Sequence, residues 1–152
     1  MNALAIRPQG LPMAPLGLQV QPAALDHALN LLDDGHGTDR PIDAAIYEAM
    51  GWEVDRRGTG FRRMKWWVKS PIALGWEPMP SPTGDERAAA ALVPYRWSHM
   101  AGIVDGKPMA WCRENVARLG RERRYSECNR TTVARALTAA ALFAHRQIVL
   151  GS

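Results

Sequence analysis

Apolar positions recur at helical spacing in several segments of the chain, and the stretches between them follow the shorter period of strands and turns. From Ala23 to Leu32, the residues Leu25, Ala28, Leu29 and Leu32 fall at i, i+3, i+4 and i+7. That spacing predicts an amphipathic helix, and the turn formers Asp33-Asp34-Gly35-His36-Gly37 close it. A second helix is predicted to start near Asp39 or Pro41, with Thr38 or Asp39 as cap and Pro41 in the first turn. Its stripe is Ile42, Ala45, Ile46, Ala49 and Met50, and Gly51 is placed to end it. The strongest helical pattern runs from Thr131 to Val149. There Val133, Ala136, Leu137, Ala140, Ala141, Phe143 and Ala144 form a broad face, and its small residues allow close packing.

Between these helices the period shortens. Trp52-Glu53-Val54 reads as the start of a strand, Arg56 to Gly60 as a turn and Phe61 to Lys69 as a second strand. Pro71 to Gly84 holds Pro71, Pro78, Pro80, Pro82, Gly75 and Gly84, and reads as a long irregular crossing. Asp85 is placed to cap a short helix from Glu86 to Leu92, with Pro94 closing it. Trp97 to Val104 and Pro108 to Arg113 predict a β-hairpin through Asp105-Gly106, a strong two-residue turn signal. Val116 to Cys128 is highly charged and shows no clear period. No internal repeat is visible.

Residues 1–22 read as a proline-rich arm ahead of a single domain at 23–152. Pro8, Pro12, Pro15 and Pro22 exclude a regular helix and disrupt an interior strand. The arm is nonetheless apolar, with Leu4, Ile6, Leu11, Met13, Leu16, Leu18 and Val20. A solvated linker is usually more polar, so the arm is expected to lie against its own domain or a second copy. Its prolines interrupt what would be the apolar core of a signal peptide, and no segment approaches the ~20 apolar residues of a membrane helix. A soluble, cytoplasmic protein without membrane association is therefore expected.

Composition adds three constraints. A chain of 152 residues has room for one domain with a real core. Cys112 and Cys128 are too few for a disulfide framework and match no zinc spacing, so they are expected to be reduced packing residues. The net charge of +4 is uneven. Residues 1–54 hold two basic against seven acidic residues, a net −5, and the remainder holds seventeen against eight, a net +9. An acidic front and a basic rear fit either a solvated surface or an anionic partner.

Several segments, in order, resemble one family. Asp39-Arg40-Pro41-Ile42-Asp43-Ala44-Ala45-Ile46, continuing through Tyr47 to Trp52, resembles the opening helix of small bacteriophage and prophage proteins with a "phage ABA sandwich" type of domain. The matching pieces that follow are Trp66-Trp67, Pro78 to Thr83, Ala89 to Pro94, Trp97, and Thr131 to His145. The likeness covers roughly residues 25–145 and leaves out the arm. Ser81-Pro82-Thr83-Gly84 departs from the family, whose members commonly carry an aromatic residue and further small polar residues there. The resemblance implies an α+β, alpha-beta-alpha layered sandwich with a small, mainly antiparallel sheet and a phage or prophage origin. It implies no catalytic residue and no cofactor.

The candidate binding residues are basic and aromatic. Arg62, Arg63, Lys65, Trp66 and Trp67 form one cluster in which basic groups suit phosphates and aromatic rings suit exposed bases. Arg62 to Trp66 also matches a run found in homeodomain recognition helices, but Gly58-Thr59-Gly60 would break that helix. The alternative is a strand with packed aromatics and solvated arginines. Arg121, Arg123 and Arg124, with Arg113 and Arg118 nearby, form a second cluster. Were the segment helical, Arg113, Arg121 and Arg124 would share a face. Ion pairing with Glu114 and Glu122 is the alternative to phosphate binding.

His27, His36, His99 and His145 are scattered without a metal-binding motif, and nothing in the spacing joins Ser98, His99 and Cys112. Most of the six tryptophans are expected to build the sheet core. The expectation is a noncatalytic accessory protein that binds a host or phage protein, or a nucleic acid or nucleotide. The alternative is a structural virion component, a homo-oligomer whose residues 1–22 join neighbouring subunits.

Overall fold

The computed structural model describes residues 20–57 and 65–151. The arm through residue 19, the Gly58-Thr59-Gly60 turn, and Arg62 and Arg63 lie outside the described residues. The α+β class expected from sequence holds. Among the described residues, four helices and two three-stranded antiparallel sheets are arranged in layers, where one sheet was expected. In chain order the elements are α1 (Pro22–Leu31), α2 (Arg40–Ala49), β1 (Glu53–Arg57), β2 (Lys65–Lys69), β3 (Glu77–Pro78), α3 (Glu86–Ala90), β4 (Trp97–Val104), β5 (Lys107–Glu114), β6 (Tyr125–Asn129) and α4 (Val133–Leu150). The sheet orders are β1-β2-β3 and β4-β5-β6. Among the described residues no helix is long and apolar enough to cross a membrane.

Local chemistry sets the helix boundaries. The Asp39 carboxylate accepts from the Ile42 amide at the start of α2, Asp85 from Arg87 at α3, and the Thr132 hydroxyl from Arg135 at α4. Gly151, with φ +71°, ends α4 in a left-handed turn. The β4–β5 hairpin turns through Asp105 and Gly106, both at positive φ (50° and 77°), which is the geometry of a two-residue type I′ turn. Its register runs without a bulge from Val104↔Lys107 to Trp97↔Glu114.

α4 is the central element. Every residue from Ala134 to Leu142 is buried. One side lies on β5 and β6, and other sides meet α1 and α3. Six of its residues from Ala134 to Ala144 are alanines, and these let the neighbouring elements approach closely on several sides. The tryptophans occupy the rim instead. Trp97 alone is buried, Trp52 and Trp66 pack against the core from outside, and Trp76 is exposed. The expected tryptophan core is thus replaced by an alanine-rich one, because α4 takes the space between the layers.

Buried polar groups tie the irregular segments to this frame. Asp43 is completely buried, and its Oδ1 accepts from the Thr83 amide at 3.0 Å and the Thr83 hydroxyl at 2.8 Å. Arg40 donates to Asp43 Oδ2 at 3.0 Å and to the carbonyls of Met79 and Pro80. Burial pushes the Asp43 carboxyl above the usual range, opposed by the Thr83 and Ser81 hydrogen bonds and the Arg40 charge. On α4, the buried Arg135 donates to the carbonyls of Asp34 (2.7 Å) and Gly37 (3.2 Å). Thr138 donates to Pro82 O at 2.9 Å. His145 Nε2 lies 2.7 Å from Leu92 O, which fixes the Nε2–H tautomer because a carbonyl can only accept.

Two predictions follow from this packing. A Cβ on Gly84 would lie 2.0 Å from Thr38 Oγ1 and 3.1 Å from Thr38 Cα. Gly84→Ala is therefore expected to lower unfolding free energy by roughly 1–3 kcal/mol in urea titrations. Burial holds His145 neutral and pushes its pKa down from 6.5 to about 4. Below about 6.5 the unfolded chain takes up a proton that the folded chain refuses, so stability falls as pH drops from about 6.5 to about 4. The full window is worth about 3 kcal/mol. Denaturation at pH 7 and pH 4.5 should show this loss in the native chain and its absence in His145→Gln.

Candidate functional site

The described residues of the first cluster, Lys65, Trp66 and Trp67, lie on β2 of the first sheet, and the second cluster lies in the loop between β5 and β6 of the other. In the first, Arg56 and Trp66 are register partners, and the Arg56 guanidinium sits 4.5 Å from the centre of the Trp66 ring. Val54, Arg56 and Trp66 line a shallow hollow of about 440 Å³ with Pro41, Ala44 and Glu48 of α2. Trp67 alternates with Trp66 along β2 and so lies on the opposite face, opposite Asp55 and Pro78. Trp66 and Trp67 therefore do not form a joint stacking platform. Lys65 is exposed at the start of β2.

The second cluster differs from the helical arrangement considered from sequence. Residues 115–124 contain no helix, so Arg113, Arg121 and Arg124 do not share a helical face. The segment instead loops from β5 to β6 and returns Arg124 to Glu114. Arg124 Nη2 and Nε lie 2.6 and 2.9 Å from Glu114 Oε1, and the Arg124 amide donates to Oε2 at 2.8 Å. Arg118 Nε approaches the same carboxylate at 3.8 Å. The Arg124 hydrogen bonds hold the Glu114 carboxyl below its usual range, against the effect of burial. Ion pairing thus engages Arg124, while Arg121 and Arg123 are exposed at the loop surface.

This loop borders a second hollow of about 400 Å³, lined by Tyr95, Arg96, Trp97, Glu114, Arg118 and Arg124, with apolar contacts from Val116, Ala117 and Ile148. Trp97 is only 9% exposed and lies under the Arg124 guanidinium at 5.7 Å, so it forms a wall rather than a stacking surface. Tyr95 is 56% exposed. Arg96 adopts φ +66°, the left-handed region disfavoured for non-glycine residues, beside the Trp97 wall. The Asn115 amide donates to Arg96 O at 2.9 Å and anchors the loop there. From Arg113 to Arg124 the chain carries five arginines against two glutamates. Chemically, the surface combines an aromatic ring, apolar walls and several guanidinium groups around one internally paired carboxylate.

The strand register also brings together residues that their spacing did not join. His99 and Cys112 are direct cross-strand partners in β4 and β5. They make no nucleophile and base. Cys112 is fully buried, and burial pushes its thiol up to about 12; His99 stands exposed. Cys128, also buried and free, is pushed up to about 11. Among the described residues no group of three or more histidine, cysteine or acidic side chains converges to hold a metal.

Sequence reasoning missed Tyr95, Trp97 and the Glu114 carboxylate as parts of one surface. The alternation of charge from Arg113 to Arg124 was the available signal, but its partners are set by the β5–β6 pairing. Compared with protein-family models, curated proteins and solved structures, the chain matches none of them.

Glu114→Gln is expected to release Arg124 and to reduce stability by roughly 1–3 kcal/mol, the range for a hydrogen bond to a charged group. Trp97 emission should shift as the guanidinium leaves its ring, and urea denaturation gives the energy.

Proposed function

We propose that the chain is a noncatalytic binding protein, a phage or prophage accessory protein by its ordered resemblance, that engages single-stranded nucleic acid or nucleotides through the arginine-rich loop between β5 and β6. The observation that carries this reading is the meeting of the exposed Tyr95 ring with Arg96, Arg118 and Arg124 in one concave surface. A base stacks on Tyr95, and Arg121 and Arg123, exposed on the loop that borders the hollow, meet the phosphates. A single strand suits this surface better than a duplex, because its bases are free to leave the stack and its backbone follows a shallow rim.

Glu114 disfavours phosphate deep in the hollow, where its own carboxylate already engages Arg124. Phosphates are therefore met at the rim, and the hollow takes the apolar and ring portions of the ligand. The +9 balance of residues 55–152 supplies the wider attraction.

Fluorescence anisotropy with a labelled single-stranded oligonucleotide tests the reading across a salt series. Binding should weaken steeply with salt, and Arg121→Ala with Arg123→Ala should reduce the slope by about 1.4, about 0.7 for each phosphate contact of a single strand. Tyr95→Ala should weaken binding by about 1–3 kcal/mol, the range for one stacked base. Binding that ignores salt and survives all three substitutions rejects the reading. Loss on Arg62→Ala with Arg63→Ala, but not on the loop substitutions, moves the site to the first cluster.

A further inference from the structure

β4 is an edge strand of its sheet, and the described residues place no strand beyond it. It is eight residues long, continuous in register, and holds no charged residue and no proline. Edges of this kind pair readily with another strand unless charge, proline or a bulge prevents it, and β4 has none of these. Met100, Ile103 and Val104 are 62%, 62% and 52% exposed along it.

The hairpin geometry identifies which backbone groups are free. A two-residue turn makes Val104 and Lys107 a hydrogen-bonded pair, so the even-numbered residues of β4 bond to β5. The odd-numbered residues His99, Ala101 and Ile103 then aim N–H and C=O outward. Trp97, next in that series, donates its amide to Pro94 O at 3.1 Å, which sets the start of the open edge.

We propose that β4 pairs antiparallel with β4 of a second copy about a two-fold axis at Ala101, joining the two sheets into one of six strands. In this register Ala101 faces Ala101 and His99 faces Ile103 as hydrogen-bonded pairs. Met100 faces Gly102, and Ser98 faces Val104. The large Met100 side chain thus lies over a position without a Cβ. Charge favours the same register. Arg96 precedes the strand and Asp105 follows it, both exposed. Antiparallel pairing sets each Arg96 beside the other copy's Asp105 at both ends, whereas parallel pairing sets like charges together.

The outer face supports the joint. It carries Met100, Met109, Trp111 and Tyr125, with Trp111 and Tyr125 ring centres 6.3 Å apart, and no described helix covers it. Pairing makes this apolar strip continuous across the axis. About six backbone hydrogen bonds form. The buried area is on the order of 1,000 Å², the low end for a specific interface, so the dimer is expected to dissociate in the micromolar range.

Sedimentation velocity of the full chain across a concentration series should show a monomer–dimer equilibrium. Ile103→Lys, at an exposed position, should shift it at least tenfold toward monomer with unchanged circular dichroism. Ala101→Cys should form an intermolecular disulfide on mild oxidation, because facing residues of a hydrogen-bonded pair lie about 5.5 Å apart between Cα atoms, within disulfide reach. Ile103→Cys should not, since in this register its counterpart lies four residues away along the strand. A chain that stays monomeric at about 100 µM, well above the expected micromolar range, overturns the proposal. So does a dimer unaffected by Ile103→Lys, or equal cross-linking of the two cysteine variants. A monomer whose His99, Ala101 and Ile103 amides resist hydrogen exchange overturns it in favour of the chain's own N-terminal arm on the edge.

Discussion

Three polar side chains of α4 hold three irregular segments to the core, and the remaining packing depends on them. Arg135 binds the carbonyls that follow α1, Thr138 binds the proline-rich crossing at Pro82, and His145 binds Leu92 just after α3. A helix buried along this much of its length needs partners for the polar groups it brings inside, and of the Arg135 guanidinium only Nε is left without one; a backbone carbonyl without a partner is equally costly. Each contact answers both needs at once. Ser126 makes the reverse contact, donating to Ala140 O at 2.7 Å and fixing β6 on the same helix. The alanines set how close the layers come, and these hydrogen bonds set where along α4 each segment docks.

The Asp43–Thr83 contact does the corresponding work for the first half of the chain. It lies at the junction of α2 with the proline-rich crossing, and Arg40 extends it to Met79 and Pro80. Prolines in that crossing remove amide donors, so its carbonyls look outward for partners. Arg40 and Thr138 supply those partners from two different helices. The crossing is thereby held between α2 and α4 without regular secondary structure beyond the two residues of β3.

Features encoded by neighbouring residues were legible in the sequence, and features that depend on distant partners were not. The caps Asp39 and Asp85, the Asp105-Gly106 turn and the apolar period of α4 each lie within a few residues, and each is where the pattern put it. β6 was hidden because Tyr125–Asn129 carries alternating burial inside a charged stretch, and only pairing with β5 reveals it. β3 has two residues, one of them proline, too short to show a period. Asp43 reads as a solvated helix residue until Thr83 arrives from forty residues away. The candidate site followed the same rule. The arginines were visible as a cluster, but that Arg124 is engaged by Glu114 while Arg121 and Arg123 remain exposed is decided by how β5 and β6 pair.

The position of α4 in the chain also orders its assembly. β4, β5, β6 and α4 follow one another directly, so the sheet and the helix that covers it form largely from nearby residues, the kind of contact made early in folding. α1 lies more than a hundred residues before its anchor on Arg135. During synthesis α1 and α2 can pack on each other and α2 on β1, but the side of α1 that meets α4 stays open until α4 follows. Through that interval the nascent chain carries apolar surface on α1 that only α4 covers, the kind of transient exposure that favours aggregation.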